Sequence, residues 1–177
     1  YNNIAIIYYE QGNYPKALDL YTRSLKLFRQ LNDKAGIAGT YNNIAIIYWK
    51  QGNYPKALDH YTRSLKLARQ LNYKVSIANT YNNIAIIYRL QGNYPKALDH
   101  YTRSLKLKRQ LNDKAGIARA YNNIAVIYRQ QGNYPKALDH YTRSLKLARQ
   151  LNDKAGIANT YNNIAIIYYE QGNYPKA

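Results

Sequence analysis

Apolar positions recur along this chain at the spacing of two successive helix faces, and the whole pattern returns every forty residues. In the second repeat, Ile44 and Tyr48 stand four residues apart within a run of apolar residues, which is the period of a helix face. After a short polar break, Tyr61 and Leu65 continue a second stripe at the same spacing. The pattern predicts two amphipathic helices per repeat, here named helix A and helix B.

The residues between the stripes indicate where each helix begins and ends. Asp33 precedes helix A, where a carboxylate accepts hydrogen bonds from free backbone N–H groups. Gly52 follows helix A and tolerates a positive φ angle, and Asn53 is a common turn residue. Pro55 suits the first turn of helix B because it lacks an N–H group. These signals predict helix A over about 34–51 and helix B over about 55–71.

The fixed period defines the organisation of the chain. YNNIA opens each repeat, which predicts one solenoid domain over 1–177 with repeats at 1–40, 41–80, 81–120, 121–160 and a partial repeat at 161–177. Because one helix pair cannot bury its own apolar face, such units stack on their neighbours. The predicted fold is therefore all-α, an α-solenoid of about 4.4 stacked antiparallel helix pairs.

The residues of the two stripes resemble those of the tetratricopeptide repeat family. In helix A, the family's aromatic, Leu, Gly and Tyr positions correspond to Tyr41, Ile44, Ala45 and Tyr48. In helix B, its small, aromatic and small positions correspond to Ala57, Tyr61 and Ser64. The unit is longer than the family's usual 34 residues, because RQLNDKAGIA replaces the terminal Pro. This form is similar to kinesin light chain and Pins-type arrays. The resemblance implies a right-handed superhelix that binds proteins rather than an enzyme.

Comparison of the repeats with one another isolates a few variable positions, since thirty of the forty are invariant across the four complete repeats. The most variable sets are Tyr9, Trp49, Arg89, Arg129 and Tyr169; Glu10, Lys50, Leu90, Gln130 and Glu170; Gly39, Asn79, Arg119 and Asn159; and Phe28, Ala68, Lys108 and Ala148. The first three sets share one face of helix A, which in the family lines the concave groove that binds peptides. We interpret the variation as ligand recognition; the alternative is drift at exposed positions.

Paired asparagines inside the apolar A helices form a second candidate feature, because Asn is a poor helix former whose amide can pair with a peptide backbone. In the longer members of the family, a ladder of helix A asparagines holds the cargo backbone, and the second Asn of each pair in this chain falls at the matching position. The predicted peptide-binding residues are Asn3, Asn42, Asn43, Asn82, Asn83, Asn122, Asn123, Asn163, Tyr9, Trp49, Lys50, Arg89, Arg119 and Arg129. The alternative role for the amides is hydrogen bonding between neighbouring repeats.

The charge balance favours an acidic partner. The chain carries 26 Lys and Arg against 9 Asp and Glu, a net charge of +17, and most of the surplus lies in the central repeats. Arginine would hold acidic side chains or a phosphate through charge-assisted bonds. Replacing Arg89 and Arg129 with Glu is accordingly expected to weaken acidic peptide binding strongly, with thermal melting almost unchanged.

The sequence argues against catalysis, cofactors and metals. The chain has no Cys. His60, His100 and His140 lie one repeat apart, too far to converge on a zinc ion that needs nitrogens at about 2.0–2.1 Å. No run of apolar residues approaches a membrane span, and no leader pattern opens the chain. We expect a cytoplasmic location, no membrane contact and a segment that belongs to a longer protein.

Two other functions are compatible with the sequence. Helix B carries a basic stripe that includes Lys56, Arg63 and Lys66, which could follow the phosphates of a nucleic acid or another polyanion. Alternatively, apolar side chains of the last helix A, such as Ile164 and Ile167, could support end-to-end stacking into a homo-oligomer.

Overall fold

The computed structural model describes residues 1–172, and this part of the chain is helical with short connecting turns. Its helices in chain order are α1 (Asn2–Glu10), α2 (Tyr14–Gln30), α3 (Lys34–Lys50), α4 (Tyr54–Gln70), α5 (Lys74–Leu90), α6 (Tyr94–Gln110), α7 (Lys114–Gln130), α8 (Tyr134–Gln150) and α9 (Lys154–Glu170). Odd-numbered helices are the predicted A helices, and even-numbered ones are the predicted B helices. The predicted bounds agree with α3 and α4 to within a residue at each end.

The chain forms two compact units, Tyr1–Ile87 and Tyr88–Ala177, and α5 passes from the first into the second. In the first unit α1 packs on α2, α2 on α3, and α3 on α4. In the second unit α6 packs on α7, α7 on α8, and α9 on both α7 and α8. The all-α array of stacked helix pairs is thus confirmed, whereas the single domain over 1–177 stays a prediction.

Side-chain caps define where the helices begin. The Asp33 carboxylate accepts a hydrogen bond from the Gly36 N–H at 2.9 Å, as predicted. Asn53 caps α4 in the same way, through the Lys56 N–H at 3.2 Å, although its sequence position indicated only a turn. Gly52 has a φ angle of 74°, which lets the chain reverse between α3 and α4 without the penalty that a Cβ would bring.

The core of each helix pair depends on small side chains facing large ones. Ala45 and Ala57 are fully buried, and so is almost all of the Tyr61 side chain. Alanine at these points lets the two helices approach closely, and the tyrosine ring fills the space between them. The Ser64 hydroxyl donates a hydrogen bond to the Ala38 carbonyl at 2.8 Å, so its burial leaves no polar atom unsatisfied.

The N-terminus of α5 differs from the equivalent helix ends. Asp113 and Asp153 cap α7 and α9 through the N–H groups of Gly116 and Gly156. A Cβ added to either glycine would overlap the capping carboxylate. In α5 the corresponding residues are Tyr73 and Ser76, so the missing carboxylate and the added side chain occur together.

Restoring the cap therefore needs two changes. We expect Tyr73→Asp to stabilise the first unit by less than the roughly 0.5–2 kcal/mol typical of a cap, because the Ser76 side chain crowds the new carboxylate. In a double-mutant cycle, the gain in unfolding free energy of the double variant Tyr73→Asp/Ser76→Gly should exceed the sum of the changes caused by the two single variants. Urea melts and amide exchange in the first turn of α5 measure this coupling, and strict additivity would contradict it.

The histidines of helix B pack inside the helix pair rather than facing solvent freely. The His60 ring stacks on Tyr48 with centroids 5.4 Å apart and tilts against Tyr41 at 5.7 Å. Burial lowers the pKa of His60, with Asp59 opposing the shift and Arg63 adding to it. Among the described residues there is no cluster of His, Cys, Asp or Glu that could hold a metal ion.

The lowered pKa values predict acid sensitivity with a definite sign. Burial lowers the pKa of both His60 and His140 in the folded state, so the unfolded chain binds protons first as the pH falls. Stability is therefore complete above about pH 6.5 and declines below it. His60→Leu/His140→Leu, which copies Leu20 of the first repeat, should reduce the drop in melting temperature between about pH 7.5 and pH 5.5. The same drop in both proteins would exclude this cause.

Candidate functional site

The paired asparagines lie partly buried along one face of the A helices. Asn42, Asn43, Asn82, Asn83, Asn122, Asn123 and Asn163 are half-buried, and Asn3 is exposed. The variable residues Trp49, Arg89 and Arg129 are also half-buried, as is Tyr9. Lys50 and Arg119 are exposed. The structure thus places the predicted residues on the A helices at the edge of the core, where a side chain can contact both a neighbouring helix and a ligand.

Several of the asparagine amides already have a partner in a neighbouring repeat. Burial raises the pKa of the Tyr21 hydroxyl, and a hydrogen bond with Asn43 partly offsets this. The Tyr61 hydroxyl has the same relation to Asn83. These contacts match the structural alternative for the second Asn of each pair. Because an amide offers two donors and an acceptor, they still leave bonding capacity for a ligand.

A direct bond between amides joins two repeats in the second unit. The Asn163 Nδ2 atom donates to Asn122 Oδ1 at 3.1 Å. The second asparagine of one repeat thereby holds the first asparagine of the preceding repeat. The sequence offered hydrogen bonding between neighbouring repeats as an alternative role for these amides. Only the packing of α7 on α9 shows that these two amides meet.

Three adjoining cavities follow the helix A face of the first unit. The largest, here the amide pocket, has a volume of about 290 Å³ and is lined by Asn2, Ala35, Ala38, Gly39, Asn42, Asn43, Ser64, Ala68, Tyr73, Ser76, Asn79 and Thr80. Asn43 also lines the second cavity, and Ile46 lines both the second and the third. The amide pocket and the second cavity thus share one wall residue, the second and third cavities share another, and the three together are here called the depression.

The second and third cavities are equivalent positions of two successive repeats. Slot 1 has a volume of about 190 Å³ and is lined by Ile6, Tyr9, Glu10, Tyr21, Asn43 and Ile46. Slot 2 has a volume of about 160 Å³ and is lined by Ile46, Trp49, Tyr61, Asn83 and Ile86. In each slot a buried tyrosine of helix B forms the base, and an aromatic residue of helix A forms a wall. The repeat pattern did not reveal that these tyrosines form the bases of cavities, because their spacing predicted only that they are buried in the core.

The same variable position carries arginine in the second unit. The Arg129 guanidinium forms an ion pair with Glu170 at 2.5 Å, and the two side chains are only 20% and 33% exposed. Its charge opposes the effect of burial, which raises the pKa of Tyr141. Arg89 has the same relation to Tyr101, whose pKa burial raises to about 12. An acidic ligand at Arg129 would have to compete with Glu170.

A polar cavity of about 150 Å³ is present in the second unit and corresponds to the amide pocket. It is lined by Ala118, Arg119, Asn122, Asn123, Ser144, Ala148, Asp153, Gly156, Asn159 and Thr160. Arg119 is the cation in this lining, and three asparagines accompany it. This cavity therefore combines amides and an exposed positive charge with the carboxylate of Asp153, which caps α9.

The variable position on helix B faces the start of the next A helix. Ala68 lines the amide pocket, and Ala148 lines the corresponding polar cavity of the second unit. Phe28 instead lies over Gly36, where its ring would overlap an added Cβ, and Lys108 is 5% exposed with its Nζ atom 3.5 Å from Asp113 Oδ2. Side-chain size at this position decides how much space remains beside the helix end, a role that its variability alone did not indicate.

The outer surface of helix B carries paired charges. Arg63 Nε contacts Asp59 Oδ2, four residues earlier on the helix, at 2.9 Å, and the same pair recurs in the other B helices. Arg29 Nη2 donates to the Tyr41 hydroxyl at 2.7 Å, and Arg69 forms the same bond with Tyr81. Arg63 of the basic stripe is therefore paired with a carboxylate, and Arg29 and Arg69 near the ends of α2 and α4 are paired with tyrosines.

None of the helices in the described part of the chain has the length and the apolar composition of a membrane-spanning segment.

Comparison with known proteins gives one family and several similar folds. The sequence model of the family described as tetratricopeptide repeat matches residues 1–70, 36–110 and 116–177. No curated protein sequence is significantly similar to the chain.

Three solved structures illustrate the similarity of fold. BtubC (BKLC) from P. vanneervenii is 25% identical with a TM-score of 0.88, over 98% of this chain and 72% of that protein. Apo RapI is 19% identical with a TM-score of 0.85, over 97% of this chain and 48% of RapI. A signal transduction ATPase with numerous domains and a tetratricopeptide repeat sensor, from Pyrococcus horikoshii, is 23% identical with a TM-score of 0.88, over 99% of this chain and 27% of that protein.

The Arg129–Glu170 pair revises the expected effect of charge reversal on stability. Arg129→Glu would place two carboxylates together in a half-buried position, so we expect the unfolding free energy to fall by about 1 kcal/mol or more. Arg119→Glu, at an exposed position, should change it by less than about 0.5 kcal/mol. Denaturation followed by circular dichroism measures both, and equal midpoints would show that the ion pair contributes nothing.

Proposed function

Because the chain belongs to the tetratricopeptide repeat family, we propose that it is a protein-interaction scaffold without enzymatic activity, which holds an acidic peptide segment along the A helices. The general role as an interaction module follows from the family. The acidic character of the peptide, and its seat on the helix A face, are the specific parts of the proposal. The cytoplasmic location expected from the sequence stays a prediction.

The depression of the first unit is the observation that carries this proposal. Asn43 is a wall of both the amide pocket and slot 1, and Ile46 is a wall of both slots. An extended peptide exposes an N–H and a C=O group at each residue, and side-chain amides can pair with both. A surface that alternates amides with apolar recesses suits a peptide better than it suits a single small molecule.

Charge supports an acidic ligand. The net charge of +17 attracts anions over long range and accelerates their encounter with the protein. Near the depression, Lys50 is exposed and lies over the Trp49 ring at 5.0 Å. In the second unit, Arg119 lies among the amides of the polar cavity. These exposed cations are better placed than Arg129 to pair with a carboxylate, since Arg129 already contacts Glu170.

Two exchanges between equivalent positions test the acidic preference. Lys50→Glu copies Glu10, and Arg119→Asn copies Asn79 and Asn159, so both replacements introduce residues that the fold already holds there. We expect the double variant to bind a fluorescent Asp/Glu-rich peptide about tenfold more weakly, with melting unchanged. Binding to the matched Asn/Gln-rich peptide should not change. Fluorescence anisotropy measures both, and unaltered binding of the acidic peptide would contradict the acidic preference.

The alternative functions give different results in the same assay. A polyanion ligand on helix B would appear as binding of a labelled single-stranded oligonucleotide that falls steeply with salt and is weakened by Lys66→Gln. End-to-end assembly would appear as a mass that rises with protein concentration in light scattering. Either result, without peptide binding, would replace the proposed function.

A further inference from the structure

We propose that slots 1 and 2 of the first unit bind two apolar side chains of the peptide, three residues apart, with an acidic residue beside the one in slot 2. This inference rests on the proposed function and adds the pattern of side chains that the first unit selects. It follows from the walls, the bases, the spacing and the bordering charges of the slots.

The linings of the slots suit apolar groups. Slot 2 lies between Ile46 and Ile86, with the Trp49 indole as a further wall. At its base the Tyr61 side chain is 2% exposed. The Tyr61 hydroxyl, the polar group of that base, is hydrogen bonded to Asn83. An apolar side chain entering the slot would therefore leave the bond between the Tyr61 hydroxyl and Asn83 in place.

The sizes of the slots indicate side chains rather than whole ligands. Volumes of about 160 and 190 Å³ are below the roughly 300–1,000 Å³ of small-molecule pockets. Because Ile46 is a wall of both slots, their occupants would lie on opposite sides of one side chain, and contacts of about 4–4.5 Å on each side place them roughly 8–10 Å apart. A polyproline II segment rises about 3.1 Å per residue with three residues per turn, so residues i and i+3 lie on one side about 9 Å apart. Two anchors at that spacing match two neighbouring slots.

The bordering charges set the direction of the peptide. Glu10 lines slot 1, whereas Lys50, at the equivalent position of the next repeat, lies over the Trp49 wall of slot 2. Charge complementarity favours a carboxylate beside the anchor in slot 2 and a neutral or basic residue beside the anchor in slot 1. The occupant is thus an extended peptide with two apolar anchors and an uneven charge distribution.

The residue of helix A at positions 9 and 49 determines whether an apolar anchor can be accepted. Tyr9 and Trp49 form aromatic walls. At the same position in the second unit Arg129 places a guanidinium near Tyr141 and pairs with Glu170. Since the fold holds arginine at this position, Trp49→Arg should convert slot 2 to the charged arrangement without disturbing the helix pair.

The test compares two labelled acidic peptides that differ only at the anchors. One carries two leucines three positions apart, with lysine beside the first and glutamate beside the second, and the other carries alanine at both anchors. We expect the leucine peptide to bind at least about tenfold more tightly. We also expect it to shift the emission of Trp49, which is the single tryptophan of the chain.

Trp49→Arg separates the slots from general attraction to acidic peptides. It adds a positive charge, so electrostatics alone would strengthen binding of both peptides, whereas loss of slot 2 should remove most of the leucine advantage. Asn159→Arg copies Arg119 in the second unit, adds the same charge away from the slots and should leave that advantage intact. Circular dichroism melts confirm that both variants fold.

The outcomes distinguish the two proposals. Equal binding of the leucine and alanine peptides to the unmodified chain, or an advantage that survives Trp49→Arg, would overturn the slots and leave the acidic-peptide function standing. If neither peptide binds, the proposed function fails and the slots fail with it.

Discussion

Close contact between successive helices, made possible by alanine at the crossing points, is the constraint on which this structure depends. Ala45 and Ala57 are fully buried where α3 meets α4. A larger side chain there would separate the helices, and the Tyr61 ring would no longer fill the space beside them. Each pair also needs its neighbour, because the buried face of a helix pair extends beyond what the pair itself can cover.

The same constraint explains why the candidate site lies on the A helices. The tyrosine rings of helix B, such as Tyr61, and the Ser64 hydroxyl are buried in the interior. On the outer face of helix B, charged side chains form ion pairs such as Asp59–Arg63. What remains beside the core is a depression whose walls belong to successive A helices. Substitutions at its edge change the lining of the cavities without changing the fold, which is why Trp49 and Arg129 can occupy equivalent positions.

The helix bounds and the Asp33 cap were predictable because they depend on local spacing and on hydrogen bonds within three residues. The Asn53 cap was missed since a turn residue and a capping residue have the same sequence signature. The partners of Asn43 and Arg129 were also beyond the sequence. These partners lie in other repeats, and a sequence of near-identical repeats does not indicate which atoms of different repeats come together.

By itself, the sequence determined the repeat length, the helical pair, the basic surplus and the positions that vary, because these depend on composition and on neighbours along the chain. Only the tertiary structure decided that the variable aromatic residues border open slots in the first unit, whereas Arg129 is held by Glu170 in the second. The physical reason is that each cavity is formed by side chains of several helices and not by one segment of the chain. Its shape depends on side chains about forty residues apart in sequence, whose distance and orientation are set by packing and not by local periodicity.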